Sequence, residues 1–149
     1  MAPIVEHLFN PAGRIGRKTF LITAAGFLAL GIVCTLIPVV GQIVSLAMLW
    51  PWTVVAIKRL HDMNRGGAIA IVMALASAGL GVIGSVVAML SLSPGLFLAA
   101  ASVMAVLGLV IGLAALAFMV WLAVAPGSAG SNRFGHPEKI SAFPAPGVR

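Results

Sequence analysis

Four long apolar stretches alternate along the chain with short segments that carry all of its charge. The stretches cover residues 19–37, 43–57, 66–92 and 94–125, and the second is expected to continue as helix through Asp62. A helix of about 18 or more apolar residues can cross the roughly 30 Å hydrocarbon layer of a bilayer, so only the second stretch is slightly short. The pattern therefore predicts an all-α polytopic membrane protein, a bundle of four transmembrane helices within residues 19–125.

The connections within the first and the second pair of stretches are short and uncharged. The first reversal is expected at residues 38–42, which begin with a proline that should stop the preceding helix. Ser93 followed by Pro94 is typical of a helix start, with serine as the N-cap and proline at the first helical position. The four helices are therefore predicted to form two short-looped hairpins, joined by a basic loop at residues 58–67. Pro51, inside the second stretch, is expected to kink its helix.

All Lys, Arg, Asp, Glu and His side chains fall in three segments: residues 1–18, residues 58–67 and residues 126–149. If each stretch crosses the membrane once, these segments lie on the same face. Positive charge is retained on the cytoplasmic side of a membrane. The chain of residues 1–149 is thus interpreted as one membrane domain of the bacterial inner membrane, with the N-terminal segment, the basic loop and the tail in the cytoplasm.

Composition supports a membrane protein, because 61% of the residues are hydrophobic and 8% are charged. Soluble domains are typically near half apolar and about one quarter charged. The net charge of +6 does not favour a nucleic-acid partner, because the basic residues lie at membrane boundaries and no stacking aromatic residues accompany them. Attraction to membrane lipids with anionic headgroups is the simpler explanation of this charge.

The apolar stretches contain no ionisable residue, whereas ion-coupled transporters usually place such residues inside the membrane. Small residues do recur at a spacing of four, as in Gly108 and Gly112, which lets helices approach closely. Such seams can lie within one subunit or between subunits, so a homo-oligomer is possible. A small oligomeric channel or transporter, with Pro51 as a hinge, is accordingly one alternative function.

The charged segments supply a set of polar side chains that could converge on one ligand. Arg14 and Arg17 are three residues apart and would share a face if that stretch is helical. Arginine binds phosphate with paired hydrogen bonds, so the set predicts a site for an anionic lipid headgroup, a phosphate-bearing ligand or a partner protein. The candidate residues are Arg14, Arg17, Arg59, His61, Asp62, Arg65, Asn132 and Arg133.

A structural role for the same residues is equally open. In a helix, Asp62 lies one turn from Lys58, Arg59 and Arg65. It could therefore act as an internal clamp that accepts hydrogen bonds from these cations and from Arg14 or Arg17. Such a clamp would fix the N-terminal segment beneath the second helix.

Catalysis and metal binding receive little support. His61 and Asp62 are neighbours and would point about 100° apart on a helix, and no candidate nucleophile is near them in sequence. A metal site made of His7, His61 and His136 lacks paired-ligand spacing. No catalytic residue, metal or cofactor is therefore predicted. A membrane enzyme that acts on a lipid headgroup, with His61 and Asp62 as its acid–base pair, is a third hypothesis.

Three motifs, in order along the chain, resemble those of one family. They are Gly-Arg-Ile-Gly-Arg-Lys-Thr-Phe at residues 13–20, Arg-Leu-His-Asp at residues 59–62, and a Gly-x-x-Gly-x-Asn-Arg-Phe-Gly tail at residues 127–135. Together they resemble the bacterial inner-membrane family catalogued as domain of unknown function 805, over residues 9–137. The resemblance implies several membrane spans and no established activity. The chain departs from the family pattern at Leu21 and at Gly66, where an aromatic residue and a serine are common.

Overall fold

The structure is a computed structural model that describes residues 8–90 and 93–137. Its elements are four α-helices: α1 (Arg17–Thr35), α2 (Pro38–Asp62), α3 (Ala68–Leu90) and α4 (Pro94–Val124). All four are long and apolar enough to cross a membrane. The described part of the chain contains no β-strand. The prediction of an all-α membrane protein with four spanning helices is therefore confirmed.

The first reversal is shorter than predicted, because α1 ends at Thr35 and α2 begins at Pro38. The turn occupies residues 36–37, and the expectation of a turn at residues 38–42 was wrong. Proline suits the first position of a helix, where its missing N–H would have no partner. Gly41 then allows the close approach of the two helices, since a Cβ at this position would lie 2.8 Å from the carbonyl carbon of Cys34.

The start of α4 and the end of α2 agree with the predictions from the sequence. The Ser93 hydroxyl accepts a hydrogen bond from the backbone N–H of Leu96 at 3.3 Å, which confirms serine as the N-cap of α4. The helix α2 continues through Asp62, as expected. The basic loop then needs glycine at position 67, because a Cβ there would lie 2.8 Å from the side chain of Ile57. Both hairpins thus form, with α2 and α3 joined by a tight loop.

Buried side chains are concentrated at one end of the bundle. We call this end, which carries residues 13–18, 58–67 and 125–136, the charged end. The hydrophobic core lies at this end and in the adjoining turns of the helices, and it consists of Ile15, Phe20, Val55, Ala56, Ile57, Leu60, Ala70 and Leu122. Away from the charged end the helices expose large apolar side chains, such as Leu36 and Met89. Because lipid tails are as apolar as these side chains, such a surface suits contact with a bilayer.

Candidate functional site

The carboxylate of Asp62, at the last residue of α2, binds two arginine side chains. Arg14 donates to Oδ1 from Nη2 at 2.9 Å and from Nε at 3.2 Å. Arg59 donates to Oδ2 from Nη1. The two arginine side chains are 0% exposed and that of Asp62 is 9% exposed. We call these three residues the clamp.

The clamp contains two positive charges and one negative charge. Its second arginine, Arg59, also donates hydrogen bonds to backbone carbonyl groups at the end of α4. Arg59 donates from Nε to the carbonyl of Leu122 at 2.9 Å and from Nη2 to that of Ala125 at 2.6 Å. The last carbonyl groups of a helix have no partner within the helix and carry a partial negative charge. Arg59 therefore ties the end of α4 to the end of α2 and is itself stabilised there.

Arg14 joins the clamp to the tail, by which we mean residues 125–137. Its Nη1 donates to the carbonyl groups of Gly130 and Gly135, at 2.8 and 3.1 Å. Its Nη2 donates to the carbonyl of Ser128 at 2.7 Å. All three nitrogen atoms of this guanidinium therefore have acceptors, which hold the tail beneath the bundle.

Two tail residues that the sequence did not single out complete this contact. Ser128 donates to the backbone carbonyl of Asp62 from both its N–H, at 2.8 Å, and its hydroxyl, at 2.9 Å. A Cβ on Gly127 would overlap the Asp62 carboxylate and lie 2.8 Å from its Cγ. The only sequence signal for both was their place in the glycine-rich tail motif.

Asn132 and His61 form a second contact between the tail and α2. The Asn132 side-chain amide donates to the carbonyl of His61 at 2.9 Å, and its oxygen accepts from the N–H of Phe134 at 2.9 Å. The Phe134 ring stacks on the His61 ring, with the ring centres 3.8 Å apart and an angle of 6° between the ring planes. His61 Nδ1 lies 3.2 Å from the carbonyl of Gly13, to which it donates because that oxygen can only accept.

Four basic residues at the charged end remain exposed, and we call them the basic rim: Arg17, Lys18, Arg65 and Arg133. Arg17 donates to the carbonyl of Ala125 at 3.1 Å. The guanidinium of Arg65 lies 5.0 Å from the Trp121 ring centre. In residues 8–90 and 93–137 the only acid is Asp62, and both of its salt bridges are with clamp arginines. The rim therefore has no carboxylate partner in this part of the chain.

The structure thus separates the eight candidate residues into two groups. Arg14, Arg59 and Asp62 are buried in the clamp, with Asn132 and His61 beside it, whereas Arg17, Arg65 and Arg133 are exposed. Arg14 precedes α1, so the premise that it shares a helical face with Arg17 was wrong.

The geometry of the charged end does not bring together catalytic or metal-binding groups in the described residues. His61 and Asp62 have separate partners, Gly13 and the two clamp arginines. The described residues contain no group of three His, Cys, Asp or Glu side chains that could hold a metal ion. His7, one of the three histidines considered for a metal site, lies outside the described residues.

The clamp is closed as well as buried. Among the described residues, no buried side-chain nitrogen or oxygen lacks a hydrogen-bond partner. A buried charge is tolerated when it is paired and hydrogen-bonded in this way. Each guanidinium nitrogen of the clamp therefore has a partner within the protein, and the positive charge that faces outward is that of the rim.

The model of one protein family, described as "Protein of unknown function (DUF805)", matches residues 8–136. The matched region includes all four helices, the clamp and the basic rim. The chain has no significant match among curated proteins or among solved structures.

Proposed function

The chain belongs to this family of proteins of unknown function, and from its charged end we propose that it binds anionic lipid headgroups through the basic rim. In this proposal it is a non-enzymatic protein of the bacterial inner membrane, with the charged end in the cytoplasm. The clamp acts as a rigid support for the rim and does not contact the ligand.

The observation that carries the proposal is the different use of charge in the clamp and in the rim. Asp62 is committed to Arg14 and Arg59, whereas the rim cations are exposed. An excess of positive charge at the end of membrane-spanning helices attracts anionic lipids, by about 1 kcal/mol for each basic residue near the surface.

The positions of the rim residues support contact with headgroups. Arg17 and Lys18 form the start of α1, and Arg65 lies in the loop before α3. Arg65 also rests on Trp121, near the end of α4. Tryptophan is enriched at membrane–water interfaces, so this pair would place a guanidinium at the level of the headgroups. The same excess of Arg and Lys supports a cytoplasmic position for this end.

Lipid binding by the basic rim can be tested with substitutions that leave the three clamp residues unchanged. A variant with Arg17→Gln, Lys18→Gln and Arg65→Gln removes three rim charges, and its matched control replaces both arginines with lysine and keeps Lys18. Native mass spectrometry of each protein from nanodiscs of phosphatidylglycerol and phosphatidylcholine would count the lipids that remain bound.

The glutamine variant should lose retained phosphatidylglycerol, whereas the lysine variant should keep it because the attraction depends on charge. Added salt should weaken retention in the wild type, since exposed charges are screened. If inorganic phosphate displaces the lipid at low concentration, the rim is a phosphate site rather than a headgroup site. Equal phosphatidylglycerol retention by both variants would refute the proposal.

A further inference from the structure

An apolar cavity of about 480 Å³ lies between the two hairpins, within the membrane-spanning part of the bundle. All four helices contribute to its walls, among them Phe27 and Gly31 of α1, Trp52 of α2 and Ala74 of α3. Its volume falls in the range of about 300–1,000 Å³ that is typical of small-molecule sites. Neither the clamp nor the basic rim takes part in it.

The cavity is open to the outer surface of the spanning helices, because its lining includes Leu28 and Leu116, which are 64% and 59% exposed. Its lining on α1 and α2 extends as far as Cys34 and Ser45, near the first reversal. On the second hairpin the lining stops at Ser77 of α3 and begins at Ala115 of α4, each nine residues from the helix end that lies nearer the charged end. The two hairpins pack together in the core near the charged end, and the cavity lies between them next to this core. We call the space between them the inter-hairpin slot.

The chemistry of the slot selects an apolar occupant. None of the charged side chains that the structure describes lines it, and the hydroxyls of Thr53 and Ser77 bond to carbonyl groups of their own helices, at 2.7 and 2.9 Å. Ordered water in a protein interior needs two to four polar partners, whereas most of the residues that line the slot are apolar. Methionines at positions 48, 73 and 119 line the slot, and methionine adapts its shape to an irregular neighbour.

We propose that the inter-hairpin slot binds one acyl chain of a membrane phospholipid. The slot is continuous with the lipid-facing surface of the spanning helices, so lipid chains are the material in contact with its opening. An unfilled slot would leave its walls without van der Waals partners, and a flexible chain restores these contacts. This site is independent of the rim, because it recognises the chain of the lipid and not its headgroup.

Trp52 is a natural reporter because it lines the slot, with its ring 5.5 Å from that of Phe27. Trp50→Phe and Trp121→Phe would leave Trp52 as the single tryptophan. This protein is placed in vesicles of phosphatidylcholine that carries bromine atoms on its acyl chains, since bromine quenches indole fluorescence on contact. The neutral headgroup keeps the measurement separate from the basic rim.

Two substitutions fill the slot from opposite walls. Ala74→Phe fills it from α3, and Gly31→Leu fills it from α1, where a Cβ would meet no atom within 4 Å. Val72→Phe is the matched control, because Val72 lies on α3, is 62% exposed and does not line the slot. Circular dichroism verifies that each variant is helical, and Gly31→Leu decides the outcome if Ala74→Phe does not fold.

Brominated chains should quench Trp52 in the parent protein and in the Val72→Phe control. Both fillers should cause a loss of this quenching, because the chain can no longer reach the ring. Quenching that persists in both fillers would overturn the proposal. So would quenching that declines as the ratio of protein to lipid rises, since a second copy of the chain would then occupy the slot.

Discussion

The charged end and the opposite half of the bundle are held in different ways. At the charged end, Arg14, Arg59 and Asp62 are buried together, and the core around Leu60 and Leu122 is fully enclosed. In the opposite half, large side chains such as Leu36 and Met89 are exposed, and the slot lies between the hairpins next to the enclosed core. The difference indicates that the protein's own packing defines its charged end, whereas the other half presents an apolar surface that suits a bilayer.

This contrast follows from the solvent on each side. Apolar helices gain little by packing against each other in lipid, because lipid tails are equally apolar. At the membrane surface, charged groups and loop carbonyls need partners of defined geometry. A network such as the clamp supplies these partners and specifies how the N-terminal segment, α2 and the tail fit together.

The largest effect is expected from Asp62→Asn, which leaves the two buried arginines without a counter-charge. Removing one partner of a buried ion pair typically costs about 3–5 kcal/mol. We expect a correspondingly lower free energy of unfolding in detergent and faster proteolysis of the tail, which Arg14 would hold less firmly. Arg65→Gln removes one charge from the exposed rim and serves as the control.

Equal stability of the Asp62→Asn and Arg65→Gln variants would show that the clamp does not stabilise the charged end. The comparison between the two halves of the molecule would then lose its electrostatic basis.

Two leucines of α4 allow the charged end and the opposite half of the bundle to be compared within a single helix. Leu122 is 0% exposed in the core, whereas Leu98, near the opposite end of α4, is 67% exposed. Leu122→Ala should lower the free energy of unfolding by about 2–5 kcal/mol, because it leaves a cavity in packed surroundings. Leu98→Ala should change it by less than about 0.5 kcal/mol, as is usual for surface positions.

Thermal unfolding of both leucine variants in the same detergent measures this difference. Similar losses for the two would mean that the exposed half of α4 is packed in the folded protein, for example against another subunit.

The helices could be predicted from the sequence because a spanning segment must satisfy its own backbone hydrogen bonds, which long apolar runs do as helices. Pro38 was misplaced because a proline can end one helix or begin the next. The grouping of charged residues in three segments pointed correctly to one charged end. It could not assign Arg14 to the clamp and Arg17 to the rim, because that depends on where the tail returns.

The inter-hairpin slot has no counterpart in the sequence pattern. The spanning stretches are apolar on all sides, so their composition does not distinguish a wall of the slot, such as Ala74, from an outward position, such as Val72. Ser128 was missed for a related reason. A serine among glycines in a tail is typical of a loop, and its two hydrogen bonds to Asp62 depend on the folded path of the chain.

The smallest of these effects is expected at the contact between the tail and the clamp, through Gly127→Ala. The added methyl group would overlap the Asp62 carboxylate, so either the tail or the carboxylate must move. Overpacking of this kind costs about 1–3 kcal/mol. Gly130→Ala is the control, because a Cβ there meets no atom within 4 Å, and its carbonyl still accepts from Arg14. Thermal unfolding and protease sensitivity of the tail should therefore change in the first variant only, and equal behaviour of the two would mean that the tail does not rest on Asp62 in the membrane.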